Sequence, residues 1–334
     1  MDLDAVADPQ SRQPRQSKGG GSSLVTVLVA LAANGLIAVA KSVAAFMTGS
    51  ASMVAEAAHS WADTGNEVFL LLAEHRGSRP RDASHPRGYG RDTYVWSLFA
   101  AFGLFSVGSA VSVLHGLQQL AADSEAQESY LVNYVVLAVA FVLEGLSFAQ
   151  AARQTAGDAR TWGLHPLTFI NRTSNPTLRA VFLEDFAALV GLLMAAASVG
   201  LHQVTGQAVW DAAGSIAVGV LLGVVAVYLI NRNRQFLVGA SMPPELVSKV
   251  LETLLTHPQI ERVTYLHLEY VGPTRFFVVA AVDLTGDDVE SALAVRLRRM
   301  EGELEAHDMI EDAVLTLATP DEPSLAPSPI ALTS

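Results

Sequence analysis

The chain of 334 residues is 51% hydrophobic and 16% charged, against roughly 25% charged in an ordinary soluble domain, and its mean hydropathy is +0.34. A net charge of -12 speaks against nucleic acid as a partner and against polybasic attachment to anionic lipid. The lack of cysteine removes disulfides and thiolate ligands, and with them Cu(I) and cysteine–zinc sites.

Residues 1–22 are polar, with Pro, Gln, Arg and a Gly-Gly-Gly run, and read as a disordered cytosolic tail. The tail has no apolar core leading to a cleavage site, and Asp2, Asp4 and Asp8 speak against an organellar transit peptide. Six apolar stretches follow, at 24–47, 52–74, 94–121, 130–152, 178–201 and 209–231, each near the ~20 residues a helix needs to cross ~30 Å of hydrocarbon. They are too continuous for barrel strands. The expected fold is a membrane all-α bundle of six transmembrane helices over 23–235.

Arginine and lysine set its orientation. Arg12, Arg15 and Lys18 precede the first span, and Arg76, Arg79, Arg81, Arg87 and Arg91 separate the second from the third. Arg153, Arg160 and Arg172 separate the fourth from the fifth, and Arg232 and Arg234 follow the sixth. The alternate loops 48–51, 122–129 and 202–208 hold no Lys or Arg. The positive-inside rule then puts both termini in the cytosol. Arginines outnumber lysines 18 to 3 and alanine is abundant, which points to a GC-rich bacterial genome and a multi-pass protein of the bacterial cytoplasmic membrane.

Residues 240–319 read as a small cytosolic α+β domain of order αββαβ, ferredoxin-like. Val247, Val250, Leu251 and Leu254 repeat at helical spacing, and strands flank the turn residues Gly272-Pro273. Val289, Leu293, Leu297, Met300 and Leu304 mark a second helix, before a last strand at 313–318. Residues 320–334, rich in Pro and Ser, read as a disordered tail.

Ionisable residues within a span are expensive and point to function. His59 and Asp63 stand four apart on the second span, on one helix face, so they can grip one ion together. Glu56, Asn66 and Glu67 lie close to that stripe. The fifth span supplies Glu184 and Asp185, which point ~100° apart around their helix. At ~1.5 Å per residue, Asp63 lies ~16 Å and Asp185 ~10 Å from the cytosolic ends of their spans, a gap of about one turn. Glu56, Glu67, Glu144, Lys41 and Asp211 read as interhelical or interfacial groups, with Lys41 snorkelling outward and Asp211 solvated at the outer interface. A membrane metalloprotease would show His-Glu-x-x-His on a helix. The chain has none, and no enzyme or prosthetic group is expected.

Thr48-Gly-Ser50, His59-Ser-x-x-Asp63, His85-Pro-Arg-Gly88-Tyr89-Gly90-Arg91 and Gly272-Pro-Thr-Arg275-Phe276 resemble, in that order, motifs of the cation diffusion facilitator family. The subgroup is similar to the one containing mammalian zinc transporter 9. The resemblance implies transport of a divalent cation, Zn2+ foremost, by alternating access. It also implies export from the cytosol coupled to protons, and a homodimer in the lipid bilayer. It implies a metal site of His59 and Asp63 with Asp185, while the partner histidine expected on the fifth span falls on Val181. Glu184 can replace it only if the helix rotates or distorts locally, and an oxygen-rich set weakens zinc selectivity over Mn(II), Fe(II) or Co(II), so a carrier of one of these is the alternative. In the loop between the second and third spans, Asp82 and His85 match two ligands of an accessory site and Tyr89 falls on the third. The cytosolic ligand positions fall on Thr264, Ala280, Leu317 and Thr319, so that domain is expected to dimerise without metal. His257, His267 and His307 read as surface groups. A non-transporting membrane scaffold that keeps the fold is the rival reading.

Overall fold

The computed structural model describes residues 20–121, 130–161, 163–240 and 242–327. Long helices fall on all six apolar stretches: α1 (Gly20–Thr48), α2 (Ala51–Gly77), α3 (Asp92–Gly103) continued through a π turn (Leu104–Ser109) into α4 (Ala110–Ala121), α5 (Tyr130–Thr161), α7 (Pro176–Thr205) and α8 (Val209–Leu237). A short helix, α6 (Pro166–Arg172), lies between α5 and α7. Among the described residues, four runs, Asp92–Ala121, α5, α7 and α8, are long and apolar enough to cross a membrane. The described apolar part of α1 is Asn34–Thr48, and α2 is made more polar by Glu56, His59, Asp63 and Glu67.

Local chemistry sets the helix ends. Gly49 takes a left-handed φ of 69° that a side chain would resist, and Ser50 caps α2 by accepting from the Met53 N–H. That is the physical content of Thr48-Gly-Ser50: a tight turn between α1 and α2. Asn175 caps α7 in the same way, with Pro176 in the first turn. Inside the bundle the buried residues are mostly small, among them Ala38, Ala44, Ala55, Ala62, Ala187, Ala195 and Ala226, which lets helices approach closely. Phe46, Leu131, Leu146, Leu193 and Val224 stand exposed on the outside, as a lipid-facing surface requires. The chain is a membrane protein.

The C-terminal domain runs α9 (Pro244–Leu255), β1 (Ile260–Gly272), β2 (Arg275–Leu284), α10 (Glu290–Glu305) and β3 (Ile310–Leu317), the αββαβ order read from the sequence. Strand β2 is central, antiparallel to β1 and parallel to β3. Register pairs Leu268 with Val278 and Tyr270 with Phe276, and these four side chains enter the core with Leu246, Met242 and Ala313. The segment after β3, expected to be a disordered tail, is fastened to β1 in its described part. Arg262 donates to the Thr319 and Glu322 carbonyls at 2.9 and 2.7 Å, and the Leu325 N–H donates to the Val263 carbonyl at 2.7 Å. Residues 1–19 and 328–334 of the expected tails lie outside the described residues, while Gly20 to Ser22 already belong to α1.

Two sequence motifs meet where the bundle joins this domain. A Cβ on Gly90 would stand 2.5 Å from the Val271 carbonyl oxygen and 2.7 Å from Gly272 Cα, so only glycine permits the approach. Beside it Arg91 pairs with Glu269, and the Arg87 guanidinium lies 4.5 Å from the centre of the Phe277 ring. Phe236 stacks on Tyr94 and meets Tyr270 edge to face, with both pairs of centroids 5.3 Å apart. Thus the Gly88-to-Arg91 and Gly272-to-Phe276 motifs build one seam.

Candidate functional site

Helix α2 carries the polar stripe, and its end remote from the α/β domain, here called outer, is anchored by α8. The Asp211 carboxylate accepts from Ser50 Oγ at 2.8 Å, from the Ser52 N–H at 3.1 Å and from the Ala51 N–H. A negative charge at a helix N-terminus satisfies orphan donors and opposes the dipole. Asp211 is fully buried, which corrects the expectation of a solvated interfacial group: its charge is consumed by the start of α2.

One turn further in, Lys41 of α1 and Glu56 form an ion pair of 3.0 Å with both side chains fully buried. The interhelical reading of Glu56 stands. The snorkelling expected of Lys41 does not, because its ammonium finds a carboxylate at its own depth. Glu67, nearer the cytosolic end, accepts from Asn34 Nδ2 at 2.6 Å and is likewise interhelical.

Between these pairs lie His59 and Asp63. His59 Nδ1 is 3.4 Å from Asp63 Oδ1, the two side chains on one face as their spacing requires. His59 is fully buried, and neither of its ring nitrogens nor Asp63 Oδ1 has a hydrogen-bond partner. Orphaned buried polar atoms are costly and call for an explanation. Here they are two ligand types, imidazole and carboxylate, presented side by side.

Helix α7 brings one carboxylate to this face. Glu184, 7% exposed, accepts a hydrogen bond from Asn66 Nδ2 on α2, and its other oxygen is unpartnered. Asp185 turns to α5, accepting from Ser147 Oγ at 2.7 Å. The residue expected as the matching aspartate therefore faces away from α2, and its neighbour faces toward it. Asn66 lies three residues beyond Asp63, so Glu184 meets α2 about one turn on the cytosolic side of Asp63, the gap that the span arithmetic had given. Among the described residues no three His, Asp or Glu side chains converge closely enough to hold an ion. The geometry is a bound pair, His59 and Asp63, with a third carboxylate a turn away. Val181 packs among apolar side chains beside the cluster of Leu70, Ala180 and Leu229, one turn further from Asp63 again.

In the loop, both Asp82 oxygens are engaged. Oδ1 accepts from Ser84 Oγ at 2.6 Å and from the His85 N–H at 2.9 Å, and Oδ2 from the Tyr89 hydroxyl at 2.7 Å. The Ser84 hydroxyl first, then the Tyr89 hydroxyl, hold the Asp82 carboxyl well below the usual carboxylate range. His85 stacks on Tyr89 with centroids 3.8 Å apart. These bonds order the loop. In the α/β domain Thr264 bonds Glu322, Ala280 is buried, and His257 pairs with Glu303.

Sequence reasoning missed the Asp211 anchor and the Lys41–Glu56 pair. A signal for the pair existed: opposite charges on consecutive spans, each ~8–10 Å from the outer end at ~1.5 Å per residue.

Residues 27–238 match the model of the cation efflux transmembrane domain. The chain is 35% identical over 269 residues to the human "proton-coupled zinc antiporter SLC30A9, mitochondrial", covering 80% of the chain and 47% of that protein. It is 36% identical over 249 residues to "metal tolerance protein C4" of Arabidopsis thaliana, covering 75% and 54%. An uncharacterized transporter of Methanocaldococcus jannaschii is 22% identical over 296 residues, covering 82% of the chain and 93% of the relative. The chain spans about half the length of the first two.

Proposed function

Since the chain belongs to the cation efflux family, we propose that it carries a divalent metal cation, zinc first, across a bilayer spanned by all six long helices. The observation that carries the reading is the His59–Asp63 pair, His59 fully buried, with both ring nitrogens and Asp63 Oδ1 unpartnered and Glu184 one turn away inside a lipid-facing bundle. Imidazole with carboxylates suits zinc; the names of the human and plant relatives, a zinc antiporter and a metal tolerance protein, support the same cargo. His59 is the one ligand whose ordinary pKa, near ~6.5, lets protons and metal compete at working pH. That competition supports exchange of cytosolic metal for outer protons by alternating access, the cycle that the family resemblance implies. Arginine and lysine placement supports cytosolic termini, and composition supports a bacterial membrane. The α/β domain is read as the dimerisation module.

A second reading, preference for Mn(II), Fe(II) or Co(II), draws on Glu184: it makes the third donor an oxygen where the family's pattern has a second imidazole. The deciding experiment is flux into proteoliposomes, one cation at a time, with and without a pH gradient. Zinc uptake that an opposing proton gradient accelerates, and that Asp63→Ala abolishes in a folded protein, is the expected result. Flux equal in Asp63→Ala and wild type refutes the site; no flux of any cation leaves the scaffold reading.

A further inference from the structure

The transport site leaves the Lys41–Glu56 pair without a role. Glu56 sits three residues before His59, toward the outer end and on the same face: at ~100° per residue, positions 56, 59, 63 and 66 fall within an arc of ~80°. Its Oε2 is 3.0 Å from Lys41 Nζ. Its Oε1 is buried with no hydrogen-bond partner and lies against α7, 3.0 Å from where a Gly191 Cβ would stand. So a fully buried carboxylate of α2 touches both α1 and α7, with an unpartnered oxygen, one turn from His59. Beyond it, Ser52 Oγ bonds Ser198 Oγ at 2.6 Å and the Asp211 carbonyl at 3.0 Å, and the Asp211 carboxylate is already consumed by the N-terminus of α2. Glu56 is thus the outermost carboxylate of the stripe. A buried ion pair is a poor source of stability, since desolvation offsets its attraction, and charges inside a membrane mark ion paths.

We infer that Glu56 is the exit-side relay for the transported cation and that Lys41 guards it. The ammonium holds Glu56 while the His59–Asp63 pair is unloaded; a divalent cation moving outward takes its place there, and the ammonium, still protonated, moves aside. This rests on the transport reading above. A dication at His59 and Asp63 repels Lys41 across one helical turn, with the Lys41 and Glu56 side chains fully buried, and it attracts Glu56, so loading itself favours the exchange.

The test uses the full-length chain, with equilibrium zinc binding in detergent and zinc flux in proteoliposomes as separate readouts. The swapped pair, Lys41→Glu with Glu56→Lys, keeps an ion pair between α1 and α2 but moves the carboxylate off the α2 face. It is expected to bind zinc within about threefold of wild type and to carry it on the order of tenfold more slowly, the signature of an interaction made only during movement. The neutral pair, Lys41→Met with Glu56→Gln, is expected to behave alike without a buried charge to disturb folding. Wild-type flux with intact binding, in either, makes the pair a strut and overturns the inference. Loss of zinc binding in both puts Glu56 in the loading site and overturns it too. Absence of flux in the wild-type chain would instead remove the transport reading, and this inference with it.

Discussion

Replacing Glu184 by Gln and Asp185 by Asn separates the two carboxylates that α7 offers. Glu184 is buried and reaches α2 through Asn66; Asp185 is half-buried and bonded to Ser147 on α5. For a dication held between Asp63 and Glu184, a carboxylate ~5 Å away at an effective dielectric of ~20 attracts it by about 7 kcal/mol, and one ~10 Å away at ~40 by about 2 kcal/mol. Desolvation of the carboxylate and its competing hydrogen bond offset more than half of each figure. Glu184→Gln is therefore expected to weaken zinc binding by about 3 kcal/mol, roughly a hundredfold, and Asp185→Asn by under ~1 kcal/mol, less than about fivefold. Competition against a fluorescent zinc chelator in detergent, at fixed pH, measures both. An Asp185→Asn loss equal to or larger than that of Glu184→Gln would refute the assignment and restore Asp185 as the ligand.

Asp211→Asn turns an N–H donor toward the donors of α2 and removes the charge from its N-terminus, an expected destabilisation of about 2–3 kcal/mol; a denaturation free energy unchanged in detergent would show that the anchor is idle. Val181→His places an imidazole beside the Leu70 cluster and not beside Asp63, so the zinc-to-manganese flux ratio should stay as in wild type; a raised ratio in an active protein would mean that α7 turns during transport. The lowered pKa of Asp82 means that its bonds support the loop fully above the ordinary carboxylate value, near ~3.9, and lose that support as pH falls through the lowered one. Tyr89→Phe removes one donor and should move that loss to higher pH, read as the onset of proteolysis between Ser78 and Arg91.

The helices and the αββαβ order were legible because both depend on local pattern: runs of apolar residues in one case, short alternating segments around Gly272-Pro273 in the other. The His59–Asp63 pair was legible for the same reason, four residues apart on one helix. What failed depended on contacts between distant segments. Asp211 meets Ser50 across 161 positions, and nothing near either residue announces the other. Which of Glu184 and Asp185 faces α2 depends on the rotation of α7 about its axis, which adjacent residues cannot report when both are acidic. The final segment read as loose because Pro and Ser carry no apolar pattern; Arg262 and Val263 hold it by its backbone, which composition does not encode.

That segment makes the two borders of the small sheet unequal. A bordering strand carries unpaired backbone groups that recruit another strand from any chain that offers one. At the start of β1 the chain's own later residues cover the border: the Leu325 N–H takes the Val263 carbonyl, and the Arg262 side chain holds the Thr319 and Glu322 carbonyls. Strand β3 is the other border of the sheet. A chain cut after Ala318 would lose that cover and leave the Val263 carbonyl at the border open to another strand.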